Sequence, residues 1–473
     1  MKLALFLSTF LTFSAAVSGV CLAEASLTIH STGSAHVRET VPVALRPGTQ
    51  RLEFSEATAQ VEPDSIVLRD PTGQAEFRIL EQSYRNEPLS QALLLGLFEG
   101  KTLDFLRREP GKPDRVVVGK VVRGGLMAGG GIVEPIIEVD AKLQFSLPGD
   151  PLFPAGENEL KPTIRWTLES RFSGAVRAEL AYLSGGFSWE ASYNLVEQAG
   201  GDGVNLAAWV SIRNESGRTF ENARIKVLAG DLRRVPPGFQ PRMGGVRAMA
   251  APMASKGLMA SPGQAIAEES VADYHLYTVL QPVTLRNQET KQVELLRASG
   301  VKADQVYVLE TEGGALRADS KFGKVQVFRE IKNSESNGLG VALPKGKLRF
   351  FSEGSDRQLE FVGEGEIEHT PKDEVLRVFT GHAFDLVGEH RVIHQTMDPA
   401  NQLTTQVVEV KVRNRRKEPA EVRVREHPRR GGSWRLLKES QPHLDRDADT
   451  LEFVVSLRPG EERVVTYTIQ FAG

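Results

Sequence analysis

From residue 26 onward, apolar and polar positions alternate with a period of two over most of the chain, which predicts a protein built from β-strands. Leu27-Thr-Ile-His, Ala35-His-Val-Arg-Glu-Thr-Val-Pro-Val-Ala-Leu and Arg51-Leu-Glu-Phe alternate cleanly, and Arg46-Pro-Gly-Thr supplies a turn. Ser90 to Phe98 departs from this pattern with a Leu-rich face, and it predicts one short helix. Four short strands follow, at residues 101–106, 115–122, 132–139 and 142–147, spaced as in a small SH3-like barrel. From Pro162 the predicted strands lengthen, and Trp166, Trp189, Trp209, Tyr182 and Tyr193 are expected to build a sandwich core. An aromatic platform for a sugar ring would instead require exposed rings sharing one face.

Pro236 to Ala272 breaks the alternation. The segment is rich in Gly, Ala, Met, Pro and Ser and reads as a flexible insertion between two strands of one domain. Met243, Met249, Met253 and Met259 raise a soft copper(I) site, but no His or Cys lies among them to complete it. The C-terminal third has the most regular strands, punctuated by Lys417-Glu-Pro, Pro428-Arg-Arg-Gly-Gly and Arg458-Pro-Gly-Glu, and it reads as an immunoglobulin-like sandwich. The expected fold class is mainly β, with antiparallel sandwich and small-barrel modules in tandem. The expected domains are residues 26–160, 161–380 and 381–473, with the insertion 236–272 inside the second.

Composition narrows the function. Lys and Arg number 58 against 61 Asp and Glu, a net charge of -3 spread along the chain, which argues against nucleic acid as a partner. Residues 1–25 read as a cleaved signal peptide: Lys2, an uncharged stretch from Leu3 to Val20, and small residues that place cleavage after Ala23 or Ala25. The competing reading is an uncleaved anchor. Val20 before Cys21 disfavours lipidation, and cleavage at either site leaves a mature chain with no cysteine, hence no thiol chemistry. No later apolar run is long enough to span a membrane, so the chain is expected to be exported, to the periplasm or cell envelope.

Catalytic motifs do not emerge. Gly96-Leu-Phe-Glu-Gly-Lys101-Thr102 has three intervening residues where a phosphate loop needs four, and it follows a helix. Asp231 and Asp273 are too few for a calcium site. Titratable groups crowd only at His369, His382, Asp385, Glu389, His390 and His394, a set with zinc-ligand chemistry but strand-like spacing. The segment reads as a loop packed between the last two domains. Two basic turns, Arg413-Asn-Arg-Arg-Lys417 and His427-Pro-Arg-Arg430, lie among Glu418, Glu421 and Glu426 and read as self-paired strand ends. Asn214-Glu-Ser-Gly217 suits a hairpin between the Trp209 and Ala223 strands. No catalytic, cofactor-binding or metal-ligating residue is assigned.

Several runs together resemble a family: Leu27-Thr-Ile-His with Val37-Arg-Glu, Tyr182-Leu-Ser-Gly-Gly-Phe-Ser-Trp-Glu-Ala-Ser-Tyr193, the run from Arg213 to Asp231, and Tyr274-His-Leu-Tyr-Thr-Val-Leu-Gln-Pro-Val-Thr-Leu285. Lys291-Gln-Val-Glu-Leu and Gly338-Leu-Gly-Val-Ala-Leu-Pro-Lys-Gly add to it. The chain resembles exported bacterial proteins carrying domain of unknown function 4139, some of which are called mucoidy inhibitor A-like; no sustained heptad matching their coiled coil is visible. The resemblance implies no reaction and no catalytic residues. The expected function is a non-enzymatic binding or structural module for an envelope protein or polysaccharide. The alternative is a glycan hydrolase using a carboxylate pair in an inter-domain cleft.

Overall fold

Alternating side chains produce strands wherever one face can be buried, and the computed structural model is accordingly mainly β, in several separate antiparallel and mixed sheets. It describes residues 25–86, 90–125, 131–154, 161–197, 203–230, 266–311, 321–427, 434–447 and 450–472. Residues 1–24 of the expected signal peptide, most of the insertion and Pro428-Arg-Arg430 lie outside the described residues. In chain order the elements begin with β1 (Ser26–His30), β2 (Ser34–Leu45), β3 (Gly48–Phe54), β4 (Val67–Arg69), β5 (Phe77–Arg85) and α1 (Gln91–Leu97). Next come β6 (Thr102–Arg107), β7 (Arg115–Arg123), β8 (Ile136–Val139), β9 (Lys142–Gln144), β10 (Asp150–Leu152), β11 (Thr163–Ser170) and β12 (Gly174–Gly185). The chain continues through β13 (Phe187–Glu197), β14 (Val204–Asn214), β15 (Phe220–Ala229), β16 (Ile266–Val271), β17 (Tyr274–Val279), β18 (Val283–Leu285) and β19 (Glu289–Val301). It then forms β20 (Asp304–Thr311), β21 (Lys321–Lys332), β22 (Gly346–Glu353), β23 (Leu359–Ile367), β24 (Val375–Asp398) and β25 (Leu403–Asn414). It ends with β26 (Ala420–Glu426), β27 (Trp434–Glu439), β28 (Leu444–Asp447), β29 (Thr450–Leu457) and β30 (Glu462–Ala472).

Contacts divide the chain into two compact units: His36–Ser184 with Phe220–Arg224 and the stretch up to Leu27, and Thr28–Ala35 with Gly185–Thr219 and Ile225–Gly473. The three expected domains do not follow this division. The border expected at 380/381 falls inside β24, whose ladder with β21 pairs Leu376 with Ile331 and Val387 with Lys324 on either side of it.

In the first unit α1 starts where expected, because the Ser90 hydroxyl accepts the Leu93 amide at 3.1 Å and caps the helix. Its Leu95 packs with Leu103, Phe105, Val121, Ile137 and Val139 on one face of a sheet ordered β10-β6-β7-β8-β9. That order is a path with β10 and β9 at its ends, whereas the sequence suggested a barrel of four strands. The added strand, β10, is three residues long with a central proline and too short to show alternation. Trp166 is 2% exposed in the sheet β3-β11-β5 and donates its indole N–H to Gln82 Oε1 at 2.9 Å. Tyr182, on β12, is fully buried and donates to Glu39 Oε1 at 3.3 Å.

His36 on β2 is half-buried, and burial, reinforced by Arg38, lowers its pKa below the ordinary 6.5 against the opposing pull of Glu179. The unfolded chain therefore takes up this proton at a higher pH than the folded one. His36 makes stability fall as the pH drops below 6.5, through the lowered folded pKa. Urea midpoints measured from pH 7.5 to 5 should fall more steeply for the parent than for His36→Gln. Parallel profiles would contradict this assignment.

In the second unit the largest sheet runs β27-β30-β25-β24-β21-β20-β26-β29-β28. Its two ends share one core. Phe453 of β29 stacks on Tyr467 of β30, with ring centroids 5.6 Å apart at 24°, although five strands separate them in the sheet order. The sheet therefore wraps, and Val408, Val410 and Val412 of β25 join Val422, Val424 and Val455 in the same cluster. Leu309, 1% exposed, sits where Gly323 and Gly388 pair directly across β21 and β24. A Cβ at Gly388 would stand 2.4 Å from Leu309 Cδ1, and one at Gly323 2.5 Å. Gly388→Ala should destabilise by about 1–3 kcal/mol, and its effect should shrink in a Leu309→Ala background. Strict additivity in the double mutant would contradict this contact.

One device recurs three times in this unit. Asn214, Asn333 and Asn414 are each fully buried at the end of a strand, beside the turn that leads into the strand's antiparallel partner. Each Nδ2 donates to its own loop and to that partner segment. The acceptors are the carbonyls of Arg218 (2.7 Å) and Leu285 (3.2 Å), of Val341 (2.7 Å) and Pro371 (2.8 Å), and of Glu418 (2.9 Å) and Arg458 (3.1 Å). Each Oδ1 accepts a loop amide, from Ser216 at 3.1 Å, Gly340 at 3.0 Å and Arg416 at 2.9 Å. Asn214 therefore does not open a hairpin. Both edges of β14 are occupied, by β13 and β19, so residues 215–219 carry the chain to a strand in another sheet.

The predicted insertion ends earlier than Ala272. Ile266 to Val271 is strand β16, paired with β17 from Ile266↔Val279 to Val271↔Tyr274, and Ile266 and Ala267 are buried. Its polar residues Glu268, Glu269 and Ser270 hide the alternation in the sequence.

Candidate functional site

The site is built on the five-stranded sheet β19-β14-β13-β22-β23 of the second unit. Its inner face is apolar: Ala191, Tyr193 and Leu195 of β13, Leu206, Ala208, Val210 and Ile212 of β14, and Leu348 and Phe350 of β22 are all buried. Trp189 is 8% exposed and tilts against Tyr277 with centroids 6.5 Å apart. Tyr193 and Tyr277 donate to the Pro344 and Ala342 carbonyls at 2.6 and 3.1 Å, which fixes the chain entering β22. Burial pushes both phenols up, with smaller contributions from Tyr277 on Tyr193 and from Glu268 on Tyr277, so both remain protonated donors.

The opposite face is polar around Trp209, and toward one end of it Phe351 pairs with the exposed Phe361, ring centroids 5.8 Å apart. The ladders align Glu294, Trp209, Ser192, Lys347 and Glu366 in a single row across all five strands. Glu190 pairs with Ser211, and Ser211 with Gln292, on one side of that row. Arg297, Ala207, Asn194, Arg349 and Glu364 align on the other side. Trp209 is half-buried in this setting, whereas Glu190, Lys347 and Glu366 are exposed. A β-bulge shapes the edge: Ala208 opposes Leu296 but Trp209 opposes Glu294, which leaves Leu295 extra. The extra residue puts Glu294 and Arg297 on one face, where their side chains meet at 2.5 Å. Arg349 and Glu364 pair at 3.3 Å on the far side.

One end of this face opens into a cleft of about 410 Å³ lined by Ser31, Trp189, Glu190, Lys345, Gly346, Lys347, Glu366 and His369. His369 Nδ1 accepts the Lys345 amide at 3.1 Å, so the neutral ring carries its proton on Nε2. Lys345 reaches Glu368 at 3.2 Å. The Trp189 indole N–H is buried with no acceptor among the described residues. The cleft thus offers carboxylate acceptors beside ammonium and imidazole donors, a set suited to hydroxyl and amide groups. Glu190 and Glu366 line this cleft from strands separated by β22 and stand two residues out of register, so their backbones lie about 12 Å apart.

The structure does not gather the crowded histidines. His382, Asp385, Glu389, His390 and His394 lie on the single strand β24, not in an inter-domain loop, and their extended spacing spreads them along it. His369 is apart from them in the cleft. His382 packs edge-on against Phe379, Glu389 pairs with Arg413, and His390 Nε2 lies 3.4 Å from Glu426, which accepts the Tyr467 hydroxyl at 2.8 Å. Among the described residues no group of three or more His, Cys, Asp or Glu side chains could hold a metal ion. In the basic turn Arg416 meets Glu418 of the same turn at 3.5 Å and bonds the Tyr307 hydroxyl, whereas Arg413 pairs across the sheet with Glu389 and with Glu462 at 3.3 Å, not with the carboxylates beside it in sequence.

Of the aromatic residues expected in one core, Trp166 and Tyr182 are buried in the first unit and Trp189 and Tyr193 in the second, while Trp209 faces away from the core. The sequence carried that signal. In Val204-Asn-Leu-Ala-Ala-Trp-Val-Ser-Ile-Arg-Asn214, Trp209 shares its phase with Asn205, Ser211 and Arg213, opposite Leu206, Val210 and Ile212. No protein-family model matches the chain, and no curated protein matches it.

Proposed function

We propose that the protein is an exported, non-enzymatic module of the cell envelope that binds an envelope protein or polysaccharide. The observation that supports this reading is the broad polar face around Trp209, where an aromatic ring and hydrogen-bonding side chains are presented on a rigid sheet. The resemblance to exported proteins carrying domain of unknown function 4139 supports the location. The test is in-cell crosslinking of a C-terminally tagged copy, with mass spectrometry against an untagged control. A reproducible adduct with one envelope protein or glycan is expected; monomer alone at every crosslinker length would count against the reading. The position of Glu190 and Glu366 on one cleft favours a second reading, glycan hydrolysis. Product release from envelope glycans that is abolished by Glu190→Gln or Glu366→Gln would replace the first reading with this one.

A further inference from the structure

We infer that the outer face of the sheet β19-β14-β13-β22-β23 binds a neutral polysaccharide chain, with Trp209 as the surface on which a sugar ring stacks. The inference rests on the binding-module reading and names its ligand class.

Three observations carry it. The first is the position of Trp209. Its neighbours in the ladder are Ser192 and Glu294, and its strand neighbours on the same face are Ala207 and Ser211, so small or polar groups surround the ring. A sugar ring has an apolar C–H face and a rim of hydroxyls, each at once donor and acceptor. It is matched by an aromatic plane bordered by both kinds of partner.

The second is charge. Along the central row Lys347 stands between Ser192 and Glu366, with Glu294 at the far end, and the ion pairs Arg297–Glu294 and Arg349–Glu364 flank it. Cations and carboxylates alternate without a surplus of either. An anionic polymer would meet Glu294 and Glu366 at the two ends of the row and Glu364 beside it, and a cationic one would meet Lys347, Arg297 and Arg349. A neutral polyol meets only hydrogen-bonding partners.

The third is extent. The row crosses four inter-strand spacings, about 19 Å, which suits several linked rings rather than one. The cleft with Glu190 and His369 continues the face at one end and extends the same mixture of donors and acceptors.

The test is affinity gel electrophoresis of the purified mature chain through gels containing dextran, galactomannan, hydroxyethyl cellulose or the anionic polymer alginate. Retardation is expected in at least one neutral gel and should persist at 0.5 M salt, since screening at roughly that ionic strength removes exposed charge attraction. Trp209→Ala should raise the dissociation constant ten-fold or more, whereas Trp209→Phe, which keeps a stacking ring, should retain most of the affinity. His36→Gln, in the other unit, should migrate as the parent does. Circular dichroism and urea midpoints establish that the Trp209 variants are folded. No retardation in any neutral gel, retardation by alginate alone, or retardation unchanged in Trp209→Ala would each overturn the inference. A crosslinked protein partner together with failure in every neutral gel would remove the glycan ligand and leave the binding-module reading standing.

Discussion

Replacing Asn333 by alanine is expected to lower the unfolding free energy by about 3–4 kcal/mol, measured by urea denaturation with intrinsic fluorescence. The side chain occupies a fully buried position where it satisfies the Gly340 amide and the Val341 and Pro371 carbonyls at once. Truncation leaves three backbone groups to find new partners, and each buried group left unmade costs about 1–3 kcal/mol, partly recovered if water enters. Asn333→Asp is expected to be worse still at neutral pH. It places a carboxylate against carbonyl oxygens that need a donor, and it should recover part of the loss on acidification, when the carboxyl can donate again. Asn214 and Asn414 occupy equivalent positions, so alanine there should have effects of the same order. A loss below about 1 kcal/mol at all three positions would show that the loops hold without the clamps.

Gly346→Val is expected to be comparably damaging, by about 3 kcal/mol or more, and Gly346→Ala by roughly 1–3 kcal/mol. Gly346 opens β22 directly opposite Ala191 in the parallel ladder with β13, and a Cβ there would lie 2.3 Å from the Ala191 carbonyl oxygen. Backbone blocks it, not a side chain that can rotate away, so the two strands must part. Parting them shifts Lys347 out of line with Ser192 and loosens the Tyr193–Pro344 hydrogen bond. Denaturation midpoints check the stability, and Gly346→Ala should also weaken glycan retardation in the gels. A variant as stable as the parent would mean that the ladder starts later than residue 346.

Much of the fold was legible because strand alternation and helix capping are local signals. Ser90 marked α1, and the regular alternation of residues 407–413 and 463–471 marked β25 and β30. What was not legible depends on partners distant in sequence. Asn214 looks like any turn former until Leu285 is beside it, and β14 looks like half of a hairpin until β13 and β19 occupy both its edges. Strand β16 was hidden by Glu268 and Glu269, and β10 by its length. Trp209 was obscured differently: its ring size suggested core, whereas the phase of its neighbours placed it outside. The polar row around it joins residues from 192 to 366, and no local pattern could align them.

The parallel pairing of β13 with β22 also bears on the order in which the chain can fold. Ala191 meets Gly346 only after more than 150 intervening residues have been made, so when synthesis or translocation first delivers β13 it can pair with β14 but not with its other neighbour. Until β22 arrives, the free edge of β13 can recruit a strand from another chain. Closing so long a loop before any contact rewards it slows assembly. A chain halted before residue 346 should therefore aggregate where the full chain does not, and refolding of the intact protein should be slow and sensitive to concentration.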